Sequence, residues 1–171
     1  PAPTQTPELT PTVTPSPTEP PKPYFENPLV EAAVRAVLGN PDRVLMPEDF
    51  AAIEVLNLSE CELTDVSFLS EFTNLRELDL SWNNISDITS LPSLKHLTKL
   101  DLSYNFISEV QVLSSYTELT ELSLKANNLE TLTFEGLSKL THLDLSYNVL
   151  SGVSELAGFT ALEYLNLEKN R

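Results

Sequence analysis

The stretch Leu97–Ser108 reads LTKLDLSYNFIS, and Leu140–Ser151 reads LTHLDLSYNVLS, with nine of twelve letters identical. Working outward from these two segments, the pattern Leu-x-x-Leu-x-Leu-x-x-Asn recurs with starts at 53, 75, 97, 119, 140 and 162, at spacings of 22, 22, 22, 21 and 22. Six matches at nearly constant spacing mark a repeat architecture, where a single match would mean little. Alternation in Leu-x-Leu puts both leucines on one side of a short strand. A strand of about five residues cannot bury such a face alone. Stacking equivalent strands about 4.8 Å apart makes a parallel sheet whose inner face is a column of leucines.

The last position of the pattern holds Cys61, Asn83, Asn105, Asn127, Asn148 and Asn170. There the chain turns inward and leaves backbone groups without sheet partners. A side-chain amide can both donate and accept, so these asparagines form a structural ladder between turns. Cys61 stands in the first turn, which has only one neighbouring repeat, and reads as a small buried hydrophobe. Beyond the ladder, apolar residues recur every third position: Ile85, Ile88, Leu91, Leu94 and Leu97 after Asn83; Ile107, Val110, Leu113, Tyr116 and Leu119 after Asn105; Leu150, Val153, Leu156, Phe159 and Leu162 after Asn148. That spacing predicts 3₁₀ turns on the convex side. In NNLETLTFEGLSKL one residue is missing, and Phe134 and Leu137 are expected to close the gap.

Residues 1–23, PAPTQTPELTPTVTPSPTEPPKP, read as an extended Pro/Thr-rich linker. Residues 24–52 read as a helical N-terminal cap, with Asn27 as helix cap, Pro28 in the first turn, Gly39 just past the end and Pro41 blocking continuation. Its apolar stripe is expected to run through Leu29, Ala33 and Val37 with Ala36 and Leu38, covering the first strand. A short second turn is expected in MPEDFAAI. Residues 53–171 are the repeat domain, with six repeats and the last one incomplete. The start carries neither an initiator Met nor a signal-peptide pattern, so a mature or trimmed chain is expected, continuing beyond the last strand motif.

The fold class expected is an α/β solenoid with short parallel strands on the concave face, an irregular 3₁₀ convex side and a helical cap. The 171 residues carry a net charge of −15, about −14 of it outside the linker, which disfavours nucleic acid as a partner. No apolar run is long enough for a membrane span. One cysteine makes neither a disulfide nor a cysteine metal site. Four glycines form no phosphate loop, no nucleophile pairs with a base, and neither His96 nor His142 has metal-ligand spacing. An enzyme, a cofactor and a resident metal are therefore not expected.

These repeats resemble the leucine-rich repeat family in its bacterial 22-residue, internalin-like class; NNISDITSLPSLKHLTKLDLSYNFIS carries the likeness most closely. The helical segment before them, LVEAAVRAVLGNP to MPEDFAAIEVLNLS, resembles that family's N-terminal cap. The resemblance implies a right-handed curved solenoid that is secreted or displayed at the surface of a Gram-positive bacterium, with ligands held on the concave sheet.

In such a solenoid the strand residues other than leucine face the concave side in columns. One column runs Val55, Glu77, Lys99, Glu121, His142, Tyr164, and the next Asn57, Asp79, Asp101, Ser123, Asp144, Asn166. Then come Ser59, Ser81, Ser103, Lys125, Ser146, Glu168, with Ser103 expected to be exposed, and last Glu60, Trp82, Tyr104, Ala126, Tyr147, Lys169. Aromatic residues with polar tips are favoured in binding surfaces, so Trp82, Tyr104, Tyr147 and Tyr164 are the leading ligand-contact candidates. Glu77 and Lys99 join them as an ion-pair ladder, and Asp79, Asp101 and Asp144 as an acidic column that Lys125 relieves; calcium between these carboxylates is the weaker reading. The expected function is a protein-binding, adhesion-type module at the cell surface, with a glycan as alternative ligand and a structural spacer as alternative role. The expected state is a monomer or a weak dimer through the sheet edge.

Overall fold

The computed structural model describes residues 23–39, 42 and 44–171. The linker reading of residues 1–22 and the role of Pro41 lie outside the described residues. Six strands form one parallel sheet in chain order: β1 (Val55–Asn57), β2 (Glu77–Asp79), β3 (Lys99–Asp101), β4 (Glu121–Ser123), β5 (His142–Asp144) and β6 (Tyr164–Asn166). Register follows the repeat, with Leu56, Leu78, Leu100, Leu122, Leu143 and Leu165 side by side and both concave columns aligned. Each strand is three residues long, shorter than the spelling suggests. The chain bends away as soon as the second leucine has been buried.

Beyond each strand, the asparagines hold the chain. Asn83 Oδ1 accepts from the Cys61 and Leu63 amides at 3.0 and 2.9 Å, while its Nδ2 donates to the Leu58, Leu80 and Ser81 carbonyls. Asn105 repeats this with the Ile85 amide and the Leu80, Leu102 and Ser103 carbonyls. Asn127, Asn148 and Asn170 accept from Ile107, Leu129 and Leu150 in turn. Every rung reaches back to the preceding coil. Cys61 has no preceding coil to serve: its carbonyl accepts from Asn27 Nδ2 at 2.8 Å, and its thiol, raised in pKa by burial, is chemically quiet.

Asn27 is at once the end of the ladder and the cap of helix α1 (Pro28–Leu38), where its Oδ1 accepts from the Leu29 and Val30 amides. Gly39 closes α1 at φ 67°, as its position requires. The helix packs on β1 with a different face from the one expected. Val30 and Val34 are buried with Ala33 and Leu38 beside them, while Leu29 and Val37 are exposed. The cause is Glu31, which is turned inward, accepts from the Tyr24 and Phe25 amides at 3.0 Å and pairs with Arg35 at 2.6 Å. The short helix α2 (Pro47–Phe50) delivers Phe50 into a cluster with Phe25 and Phe72 beneath the cap.

The convex side forms 3₁₀ segments at Ser67–Glu71, Gln111–Ser115 and Ser154–Gly158 only. In the coil between the first two, Pro92 occupies the place of Ser114 and has no amide to extend the run. In the shortened coil, Phe134 and Leu137 are fully buried and Phe134 meets Phe159 at 5.5 Å, filling the gap as expected. Tyr116 fits a core position because its hydroxyl donates to the Pro92 carbonyl. At the last coil Leu165 is 40% exposed, whereas Leu143 is 0% exposed.

Ser103, expected at the surface, is buried, as are Ser81 and Ser146. The aspartate two residues earlier pulls each serine under the turn, with Asp101 Oδ1 accepting from the Ser103 amide at 2.8 Å. Urea midpoints should therefore fall in three variants. Leu100→Ala leaves a cavity in the leucine column and loses about 2–5 kcal/mol. Asn105→Ala orphans a buried amide and its carbonyls and loses about 1–3 kcal/mol. Ser103→Leu overpacks the turn and loses about 1–3 kcal/mol. Wild-type stability in Asn105→Ala would remove the ladder from the account of the fold.

Candidate functional site

Two concave columns line an open trough over the sheet, with the leucines as its floor. The first column presents Glu77, Lys99, Glu121, His142 and Tyr164. Lys99 Nζ lies 3.0 Å from Glu121 Oε1, and its pKa is raised chiefly by Glu121 and further by Glu77. All three side chains are solvated, so the ladder sets polarity more than stability. Tyr164 stacks on His142 at 5.9 Å, at the last strand of the sheet.

The second column is partly spent on the turns. Asp79 Oδ1 accepts from the Ser81 amide and hydroxyl at 2.9 and 2.6 Å, and Asp144 Oδ1 does the same with Ser146. The outer oxygens of Asp79 and Asp144 accept from Asn57 and Asn166 Nδ2 at 3.1 and 3.2 Å. These bonds hold the carboxylates in place, which is what the like-charge neighbours Asp79 and Asp101 require. No group of three or more His, Cys, Asp or Glu side chains among the described residues is arranged to hold a metal ion.

Trp82, Tyr104, Ala126 and Tyr147 stand three residues beyond the strands, along one margin of the trough and not over the sheet. All have positive φ, from 53° to 58°, as do Glu60 and Lys169 in the end coils. The sequence reading missed this, because none of these residues is Gly or Asn, the usual signals for the left-handed region. The turn imposes it: past the strand end, with or without an Asp–Ser pair there, the chain must reverse inward to bring the ladder asparagine into the core. Each of these amides donates to the next coil, as in Trp82 to Ser103 at 2.9 Å and Tyr104 to Lys125 at 2.8 Å. The side chains are thereby thrown outward from a fixed backbone.

The result is a continuous row. Trp82 and Tyr104 stack with ring centroids 3.9 Å apart and 9° between planes. Lys125 Nζ lies 5.3 Å from the Tyr104 ring and 5.6 Å from the Tyr147 ring, above the gap left by Ala126. Its pKa is raised first by Tyr104, then by Asp144 and Tyr147. Lys125 thus lies close to both tyrosine rings and feels the Asp144 carboxylate. Trp82 is 57% exposed and Tyr147 48%. Of the sequence candidates, Trp82, Tyr104, Lys125 and Tyr147 come together here, while Tyr164 lies across the trough.

Ala126 tests the backbone argument without touching an aromatic. A left-handed alanine is strained by about 1–2 kcal/mol, and glycine returns about 0.4–1 kcal/mol of that through the unfolded chain. Ala126→Gly is expected to raise stability by about 0.5 kcal/mol on balance, read as a higher urea midpoint. A clear loss would contradict the left-handed assignment.

Family models of the leucine-rich repeat match residues 52–93, 93–108 and 117–171. A comparison with curated proteins finds no match in sequence. Among solved structures, internalin C2 of Listeria monocytogenes aligns at TM-score 0.79 and 28% identity, over 90% of this chain and 70% of that one. The internalin inlF of the same species aligns at TM-score 0.59 and 23% identity, over 88% of this chain and 59% of that one, a likeness of fold. The leucine-rich repeat domain of APL1B aligns at TM-score 0.62 and 29% identity, over 72% of this chain and 40% of that one. With a six-strand parallel sheet built on the same repeat, the chain belongs to the leucine-rich repeat family and is internalin-like in its repeats and helical cap.

Proposed function

We propose that this chain is a non-enzymatic protein-binding module of adhesion type, secreted or displayed at the surface of a Gram-positive bacterium. The observation that carries the reading is the Trp82–Tyr104–Lys125–Tyr147 row. Trp82 and Tyr147 are exposed and Tyr104 and Lys125 half-buried, and the three aromatic residues are held by backbone bonds to the next coil, so a partner meets large amphipathic side chains that need little ordering. The trough beside the row supplies Glu77, Lys99, Asp79, Asp101 and Asp144 as polar specificity groups, with Tyr164 at its far end. In this reading residues 1–23 are a Pro/Thr spacer, 24–52 the cap and 53–171 the binding domain. No helix among the described residues is long and apolar enough to cross a membrane.

A glycan is the second ligand class, supported by the exposed face of Trp82, since flat aromatic faces stack on sugar rings as well as on protein groups. Arrays of extracellular proteins and of glycans, probed with wild type and with Trp82→Ala/Tyr104→Ala, separate the two. Binding to a protein ligand should weaken at least tenfold in the double variant while the melting temperature stays within a few degrees. Unchanged affinity for an identified ligand would take the row out of the site, and binding confined to the glycan array would replace the protein reading.

A further inference from the structure

A second surface lies at the opposite end of the chain from the last strand, where the cap meets the first coil. Tyr24, Phe25, Val30, Leu63 and Phe68 form the apolar part of a hollow of about 480 Å³. Tyr24 is 40% exposed, packed edge-on against Phe25 and Phe50 at 5.1 and 4.7 Å, and Phe25 meets Phe68 at 5.7 Å. Four carboxylates, Glu26, Glu62, Asp65 and Glu71, stand around this floor, and no Lys or Arg among the described residues lines it. The hollow is built in advance: Glu31 clamps the Tyr24 and Phe25 amides, and Asn27 ties α1 to Cys61. Asp65 is held ionised below the usual carboxylate range, chiefly by the Ser67 hydroxyl. Glu62 also has φ 55°, whereas no other coil shows positive φ one residue past its ladder position; here the backbone departs from the repeat.

We propose that this hollow docks a peptide segment of a partner protein that carries an apolar side chain flanked by basic residues. The apolar floor accepts the anchor, and the carboxylate ring accepts the flanking cations and rejects acidic segments. Charge complementarity also argues against the chain's own Pro/Thr tract, which carries Glu8 and Glu19 against Lys22 and has no aromatic residue. The surface is separate from the Trp82 row, so it stands whether or not that row binds.

The test uses the full chain and fluorescein-labelled Lys-Arg-Leu-Phe-Lys-Arg amide, read by fluorescence anisotropy. The control is Lys-Arg-Gly-Gly-Lys-Arg, because a strongly acidic protein attracts any cation weakly. The Leu-Phe peptide should bind at least tenfold more tightly than the Gly-Gly peptide. Glu26→Lys/Glu71→Lys should weaken it at least tenfold, Glu26→Gln/Glu71→Gln should do so by a smaller factor, and Trp82→Ala/Tyr104→Ala should leave it unchanged. Equal affinity for the two peptides, or no response to charge reversal, would reduce the effect to general attraction and overturn the proposal. A photo-crosslinking phenylalanine in place of Tyr24 should capture the Leu-Phe peptide. Crosslinks instead to residues 1–22, or to a second copy of the chain, would assign the hollow to those occupants and overturn it equally.

Discussion

The structure depends on a side-chain amide reaching back one coil. At the end of each strand the chain dives into the core, where its backbone groups have neither sheet partners nor water, and an unpaired buried amide or carbonyl is costly. Asn83, Asn105, Asn127 and Asn148 meet that need with bonds to their own coil and to the one before. Neighbouring coils are thereby coupled through polar bonds as well as through the leucine columns, as a stacked array requires. The ladder must also terminate. It does so at Asn27, which joins the helix to the first coil with the same amide chemistry.

The features that solve the folding problem also create the surface. To point the asparagine inward, the chain turns past the strand end, over an Asp–Ser pair in three of the coils, and then adopts the left-handed region for one residue. That residue faces outward and contributes nothing to the leucine core, so its side chain is free of the packing rules that govern the repeat. Three of the coils place Trp82, Tyr104 and Tyr147 there. The aspartates of the concave column divide their two oxygens between these roles, one closing the turn and the other lying toward the trough.

Much of this was legible from one period. The six strand positions, their lateral register and the ladder residues all follow from the spacing of Leu and Asn, because one-dimensional stacking turns a sequence period directly into neighbours. The cap helix was legible from Asn27, Pro28 and Gly39, which signal helix ends locally. Its buried face was not, because the inward turn of Glu31 depends on amides at Tyr24 and Phe25 and on Arg35, none of which a hydrophobic pattern registers. The burial of Ser103 was missed for a related reason: a hydroxyl residue drawn in by a neighbouring carboxylate looks in sequence like any surface serine. In the aromatic cluster, Phe72 holds a periodic position equivalent to Leu94 and Tyr116, but Phe25 and Phe50 lie outside the repeat, so periodicity carries no information about their joining it.

The clamp on Glu31 has a mechanical consequence. Any tension arriving along the chain from its N-terminal side reaches the folded body at Tyr24 and Phe25, whose amides both donate to Glu31 Oε2 while Arg35, one helical turn on, holds the carboxylate by its other oxygen. Pulling there loads two charge-assisted bonds together, where a frayed end would peel one contact at a time. The aromatic edges of Tyr24 and Phe25 against Phe50 add resistance behind them. A load applied from that side is thus met first by a clamp of paired bonds, before it reaches the leucine columns.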